Sequence, residues 1–98
     1  MLTFGAVNEV LSRELPLLQA EYGVRELGVF GSYVRNEQAS DSDVDILVSF
    51  ERPVGLLTFM RLENRLAALL GVKVDLVSRK ALKPAIGRRI LSEVRFVA

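Results

Sequence analysis

Cysteine and histidine are both missing from the 98 residues, and so is tryptophan. Without cysteine there is no disulfide framework and no thiolate site, a composition that fits a reducing cytoplasm. Without cysteine or histidine, the usual zinc sites and the Ser-His and Cys-His nucleophilic devices are excluded. A metal bound by this chain is held mainly by oxygen, which selects Mg²⁺, Mn²⁺ or Ca²⁺. The N-terminal MLTFGAVNEVLSREL lacks the basic start and unbroken apolar run of a secretory signal. No apolar stretch reaches the length of a bilayer span. What remains is ordinary for a soluble domain: 50% of residues are hydrophobic and 26% charged. The expectation is one small cytoplasmic domain over 1–98, large enough for a single core and in contact with no membrane.

The net charge of +1 conceals an asymmetry. Residues 79–98 carry Arg79, Lys80, Lys83, Arg88, Arg89 and Arg95 against Glu93 alone, whereas the rest of the chain is net acidic. A basic end of this kind either meets an acidic partner surface, a polyphosphate or RNA, or is the solvated face of a helix.

Along the chain, helical and strand patterns alternate without a linker or repeat. Val7, Val10, Leu11, Leu15 and Leu18 recur at helical spacing from Gly5 to Tyr22, with Pro16 predicting a kink or a break and Gly23 a stop. Strands are predicted over 24–30, 43–50 and 72–78. A helix over 56–70 has Leu56, Leu57, Met60, Leu66, Leu69 and Leu70 on its apolar side, and Gly71 ends it. A last helix, from Ala81 or Pro84 to Val94, is expected to bury Leu82, Ile86, Ile90, Leu91 and Val94. The predicted fold is α/β of the α+β type, a small three-stranded mixed sheet in αβαβαβ order with helices packed on it.

Within this frame the stretch GSYVRNEQASDSDVDILV (31–48) is anomalous, because aspartate is disfavoured in strands and a carboxylate near a core is costly unless neutralised. Side chains alternate across a strand, so Val44, Ile46 and Val48 form the core face while Asp43, Asp45 and Leu47 share the other. The two carboxylates stand about 6–7 Å apart by the strand rise, close enough for a common divalent ion or a pair of ions. In the third strand Asp75 alternates with Val74 and Leu76. It either joins Asp43 and Asp45 on one face or lies at the sheet edge, paired with Lys73 or a base of the last helix. Upstream, Gly31-Ser32 ends the first strand and opens a turn of helix, where glycine permits close backbone approach and free amides attract phosphate. Arg35 either strengthens that positive field or holds the acidic loop 37–41. The two familiar phosphate-binding glycine loops are missing.

Gly31, Ser32, Arg35, Ser42, Asp43 and Asp45, followed by Asp75, resemble in order and spacing the motif of the polymerase-beta-like nucleotidyltransferase superfamily. With the ending VDLVSRKALKPAIGRRIL, the whole chain looks like a minimal nucleotidyltransferase of the MntA type. One departure is Asn36, where the family has glycine; asparagine tolerates left-handed backbone angles, which predicts that the loop survives. The resemblance implies two Mg²⁺ ions (or Mn²⁺) held by Asp43, Asp45 and Asp75, with Asp75 serving as or positioning the general base. It implies that Gly31, Ser32, Arg35 and Ser42 form the nucleotide side, with ATP as substrate. Minimal members are similar to antitoxins encoded beside HEPN-domain ribonuclease toxins, which implies transfer of AMP to a toxin tyrosine, with no direct nucleic-acid contact. Two other readings stand beside it: an antitoxin that neutralises by binding alone, and a nucleotidyltransferase acting on a small molecule.

Overall fold

The computed structural model describes residues 2–98. Thr3 opens the first helix, its Oγ1 accepting the Ala6 amide at 3.1 Å and so satisfying a free donor of the first turn. Helix α1 (Phe4–Tyr22) runs to Gly23, whose left-handed backbone (φ 70°) ends it. The expected break at Pro16 does not divide the helix. Pro16 faces solvent, and Val7, Leu11 and Leu18 hold the buried stripe on either side of it.

The remaining elements are β1 (Val24–Phe30), α2 (Ser32–Arg35), β2 (Val44–Phe50), α3 (Leu56–Leu70), β3 (Val74–Ser78), a 3₁₀ turn at Arg79–Ala81, α4 (Pro84–Glu93) and β4 (Arg95–Phe96). The sheet has four strands, not the three expected, in the order β3-β2-β1-β4. β4 pairs antiparallel with β1 through Gly28↔Phe96 and Val29↔Arg95, and the Val97 amide donates to the Leu27 carbonyl at 2.8 Å. Two residues directly after a helix carry no alternation, so pattern reading has nothing to detect there. β1 and β2 are antiparallel, β2 and β3 parallel. Glu63 of α3 accepts the outward Leu76 amide at 2.9 Å, covering part of the β3 edge.

One face of the sheet is the core. Val7, Leu11 and Leu18 of α1 and Leu62, Leu66 and Leu70 of α3 pack on Leu27, Val29, Val44, Ile46, Val48, Val74 and Leu76. The opposite face is crossed by three in-register rows. Phe30, Asp45 and Asp75 form the first; Gly28, Leu47 and Val77 the second; Glu26 and Ser49 begin the third. α4 roofs the middle of this face, where Phe30, Leu47 and Ile90 form a small second core with Val77, Leu82 and Val94. Leu47, expected on the same face as Asp45, is therefore on that face and buried.

Two apolar assignments are corrected. Leu56, Leu57 and Met60 of α3 remain 73%, 62% and 49% exposed, and Ile86 and Leu91 of α4 are also exposed. Leu62, Leu66 and Leu70 are the buried residues of α3, and Gly87 and Ile90 those of α4, so neither helix buries its whole apolar face. Among the described residues no helix is long and apolar enough to cross a membrane.

Gly28 marks where the C-terminal segment crosses this second face. A Cβ there would sit 2.5 Å from Val94 Cγ2 and 3.2 Å from the Phe96 ring. Gly28→Ala should displace β4 and cost about 1–3 kcal/mol, a fall of roughly 4–20 °C in melting temperature for a domain of this size. An unchanged thermal melt would show that the C-terminal segment does not depend on this close approach.

Candidate active site

The acidic row lies where β1 ends and β2 and β3 begin. Asp45 pairs in register with Phe30 on one side and Asp75 on the other. Asp43 stands one residue before β2, which starts at Val44, not at 43. Its carboxylate reaches Lys73 Nζ at 4.0 Å, so of the two alternatives for Asp75 the one that paired it with Lys73 is not the one seen. Asp75 is exposed and Asp45 half-buried. Burial raises the Asp45 carboxyl to about 6, with the neighbouring charges of Asp75 and Asp43 adding to the effect.

Gly31 lies directly against that carboxylate. Its backbone (φ 80°, ψ −151°) falls in a region open essentially to glycine alone, and a Cβ would run into the Asp45 carboxylate oxygen. The Gly-Ser turn and the acidic row are thus one surface. α2 follows immediately, pinned to the core by buried Tyr33, with the amides of Val34 and Arg35 donating to the Gly31 carbonyl at 3.1 and 3.2 Å. Asn36 ends the turn in the left-handed conformation (φ 58°, ψ 39°), so asparagine does adopt the backbone that glycine would.

Arg35 and Ser42 face other work. The Arg35 guanidinium donates to Glu37 at 2.6 Å and to Glu93 of α4 at 2.8 Å, and these bonds raise its pKa further, Glu37 most. Of the two roles open to Arg35, holding the acidic loop is the one this geometry displays. Glu93 was not anticipated; its signal was being the lone acid of the basic end. Ser42 Oγ accepts the Ala39 amide at 2.8 Å, and the Ser42 amide donates to the Ala39 carbonyl at 3.1 Å. Ser42 therefore closes the loop that delivers Asp43.

The basic end is divided as well. Arg95 lies over the Phe4 ring at 4.5 Å, while Arg88 and Arg89 are exposed on α4.

The donor set fits a hard divalent cation in chemistry: carboxylates only, with no histidine or cysteine in the chain. Among the described residues no three such side chains are already gathered as a metal cluster. The acidic row is a set of neighbours, Asp45 beside Asp75 in register and Asp43 paired with Lys73.

The sequence matches the nucleotidyltransferase domain family over residues 11–97. It is 50% identical over 97 residues to protein adenylyltransferase MntA of Thermococcus cleftensis, covering 99% of this chain and 98% of that protein. Among solved structures it is similar to a candidate minimal nucleotidyltransferase, at 39% identity and TM-score 0.77 over 89% of each chain. A chain of the Shewanella oneidensis complex of tri-AMPylated HEPN toxin with MNT antitoxin shares the fold, at TM-score 0.68 and 18% identity over 93% of this chain and 71% of that one.

The raised Asp45 carboxyl has a thermodynamic consequence. Between its ordinary value of 3.8 and about 6, the folded state binds a proton that the unfolded chain has released. Stability of the metal-free protein from this group is thus greatest below 3.8 and declines as pH rises through about 6. The partial solvation of the carboxylate screens the effect to on the order of 1–2 kcal/mol. Asp45→Asn should remove this pH dependence and be the more stable protein at pH 8, by urea melts in chelator. Parallel pH profiles for the two proteins would contradict the electrostatic account of the row.

Proposed function

The chain belongs to the nucleotidyltransferase domain family, and from that premise we propose that it is a Mg²⁺-dependent protein adenylyltransferase acting as a cytoplasmic antitoxin. It moves AMP from ATP onto a hydroxyl, a tyrosine by preference, of a HEPN ribonuclease partner and so silences it. The observation that carries this reading is the in-register pair Asp45–Asp75 with the Gly31 backbone packed against the Asp45 carboxylate. It brings a phosphate-accepting turn and a carboxylate row to one surface. The name of the relative matched along almost its whole length, a protein adenylyltransferase, supports the transfer of AMP to protein. The HEPN partner is supported by the Shewanella complex, whose toxin is AMPylated.

Each residue then has a task. The Gly31 backbone and the Ser32 hydroxyl hold the triphosphate, which glycine admits to close range. Asp43, Asp45 and Asp75 would hold the two Mg²⁺ ions, whose charge would neutralise the polyphosphate and lower the pKa of the attacking hydroxyl. Asp75, exposed at the outer side of the row, accepts the acceptor's proton or orients the group that does. The acceptor oxygen bonds to the α-phosphorus, the bond from that phosphorus to the β-bridging oxygen breaks, and pyrophosphate leaves. Ser42 and Arg35 serve by holding the loop and α2 in place. Catalysis consists of positioning and charge neutralisation.

A second reading, neutralisation by binding without catalysis, is favoured by one observation. Arg35, a nucleotide-side residue in the family motif, is engaged by Glu37 and Glu93.

The double variant Asp43→Asn, Asp45→Asn separates the readings. It should fold, and Mg²⁺ with ATP should no longer raise its melting temperature. Its AMP incorporation into a co-expressed HEPN partner, read by mass spectrometry, should fall at least a thousandfold, as loss of several kcal/mol of transition-state stabilisation requires. Toxin rescue by the double variant at matched expression would overturn the enzymatic reading in favour of binding alone.

A further inference from the structure

The far end of the sheet carries a second surface that shares no residue with the acidic row. A groove of about 770 Å³ opens where β2 and β3 end and α3 begins. Ser49 at its floor lies four residue steps along β2 from Asp45, about 13 Å by the strand rise. The small core of Phe30, Leu47 and Ile90 lies between the two ends. The groove walls are apolar, built from Phe50, Pro53, Val54, Leu56 and Phe59. Leu56, Leu57 and Met60 continue the apolar surface outward, far more exposed than an isolated domain needs.

The rim is positive. Arg25, Arg52, Arg79 and Lys80 line the groove against a single acid, Glu26. Arg25 and Arg79 are held only by surface carboxylates of this chain, Glu51 at 3.4 Å and Glu26 at 3.7 Å, contacts weak enough to be exchanged. Arg52 and Lys80 make no ion pair among the described residues. α3 also starts at the groove without a side-chain cap on Gly55 and without an acid in its first turn, so its free amides add to the positive potential.

We propose that this groove docks an acidic, apolar segment of the acceptor protein: carboxylates on Arg52, Lys80 and the α3 start, and a bulky apolar side chain on Leu56 and Phe59. The proposal rests on the reading that the acceptor is a protein. A strand of nucleic acid is disfavoured, because Phe50 and Phe59 pack on each other (centroids 6.4 Å apart, tilted 57°) and are half-buried, leaving no open aromatic platform for bases. The groove thereby supplies substrate grip at a distance from the chemistry, which a fold of this size otherwise lacks.

The test is a random peptide library selected on the immobilised full chain, followed by NMR titration of the winning peptide and of a single-stranded oligonucleotide. Selected peptides should be rich in Asp or Glu beside Leu or Phe, and should shift the amides of Gly55, Leu56 and Phe59. The double variant Arg52→Glu, Lys80→Glu should weaken the peptide at least tenfold, more so at low salt. Leu57→Ser, a neutral change on the exposed patch, should weaken it severalfold. The charge-reversed protein should keep its melting-temperature rise with Mg²⁺ and ATP, and Asp45→Asn should keep the peptide, so that failure of docking and failure of transfer are read separately. Peptides without acidic enrichment, equal binding by the charge-reversed protein, or an oligonucleotide that binds and is lost with the same variant would each overturn the proposal.

Discussion

The register in which β2 lies beside β3 is the constraint on which the rest of the molecule depends. It sets Val44 against Val74 and Ile46 against Leu76, all within the core and at most 5% exposed. Because side chains alternate, the same register sets Asp45 against Asp75 on the other face. A slip of one residue in either strand would drive its carboxylate under α1 and α3 and its apolar set out to solvent, at a cost no core of this size could offset. Apolar packing on one face therefore holds an unfavourable pair together on the other. Burial first, and the Asp75 charge after it, raise the Asp45 carboxyl to about 6. A cation or a positively developing reaction centre relieves that unfavourable pairing, which is why the pair reads as a site and not as a flaw.

Around this pair the local backbone is adapted to leave room. Gly31 gives up its side chain where the Asp45 carboxylate lies, and Asn36 takes a left-handed angle to end α2 after a single turn. Arg35 then ties that turn to α4 through Glu93. α4 in turn packs Ile90 on Leu47. The acidic row, the Gly-Ser turn and the C-terminal helix are thus mechanically continuous, although they come from three separate parts of the chain.

α4 covers the second face of the sheet only in its middle and leaves the acidic row open, while a basic-rimmed apolar groove opens at the other end of the strands, beside the start of α3. In a larger protein further elements would cover both. Here the exposed leucines of α3 and the open groove remain where a partner can supply the missing layer.

The order of elements was legible in the sequence because alternation and helical spacing are local properties: the helices over 56–70 and 84–93 and the two longer strands of the Asp motif stand within two residues of expectation. The core face Val44, Ile46, Val48 and the outward turn of Asp45 follow from alternation alone, and the exclusion of histidine and cysteine ligands follows from composition. The motif order from Gly31 to Asp75 carried the family resemblance for the same reason. Long-range pairing decided what local pattern could not. Lys73 turned to Asp43, Arg35 to Glu93, and a two-residue strand closed on β1, none of which leaves a periodic signal. Nor could periodicity tell that Leu56, Leu57 and Met60 stay exposed: a helix is amphipathic along its whole length, but it is buried only where another element lies beneath it.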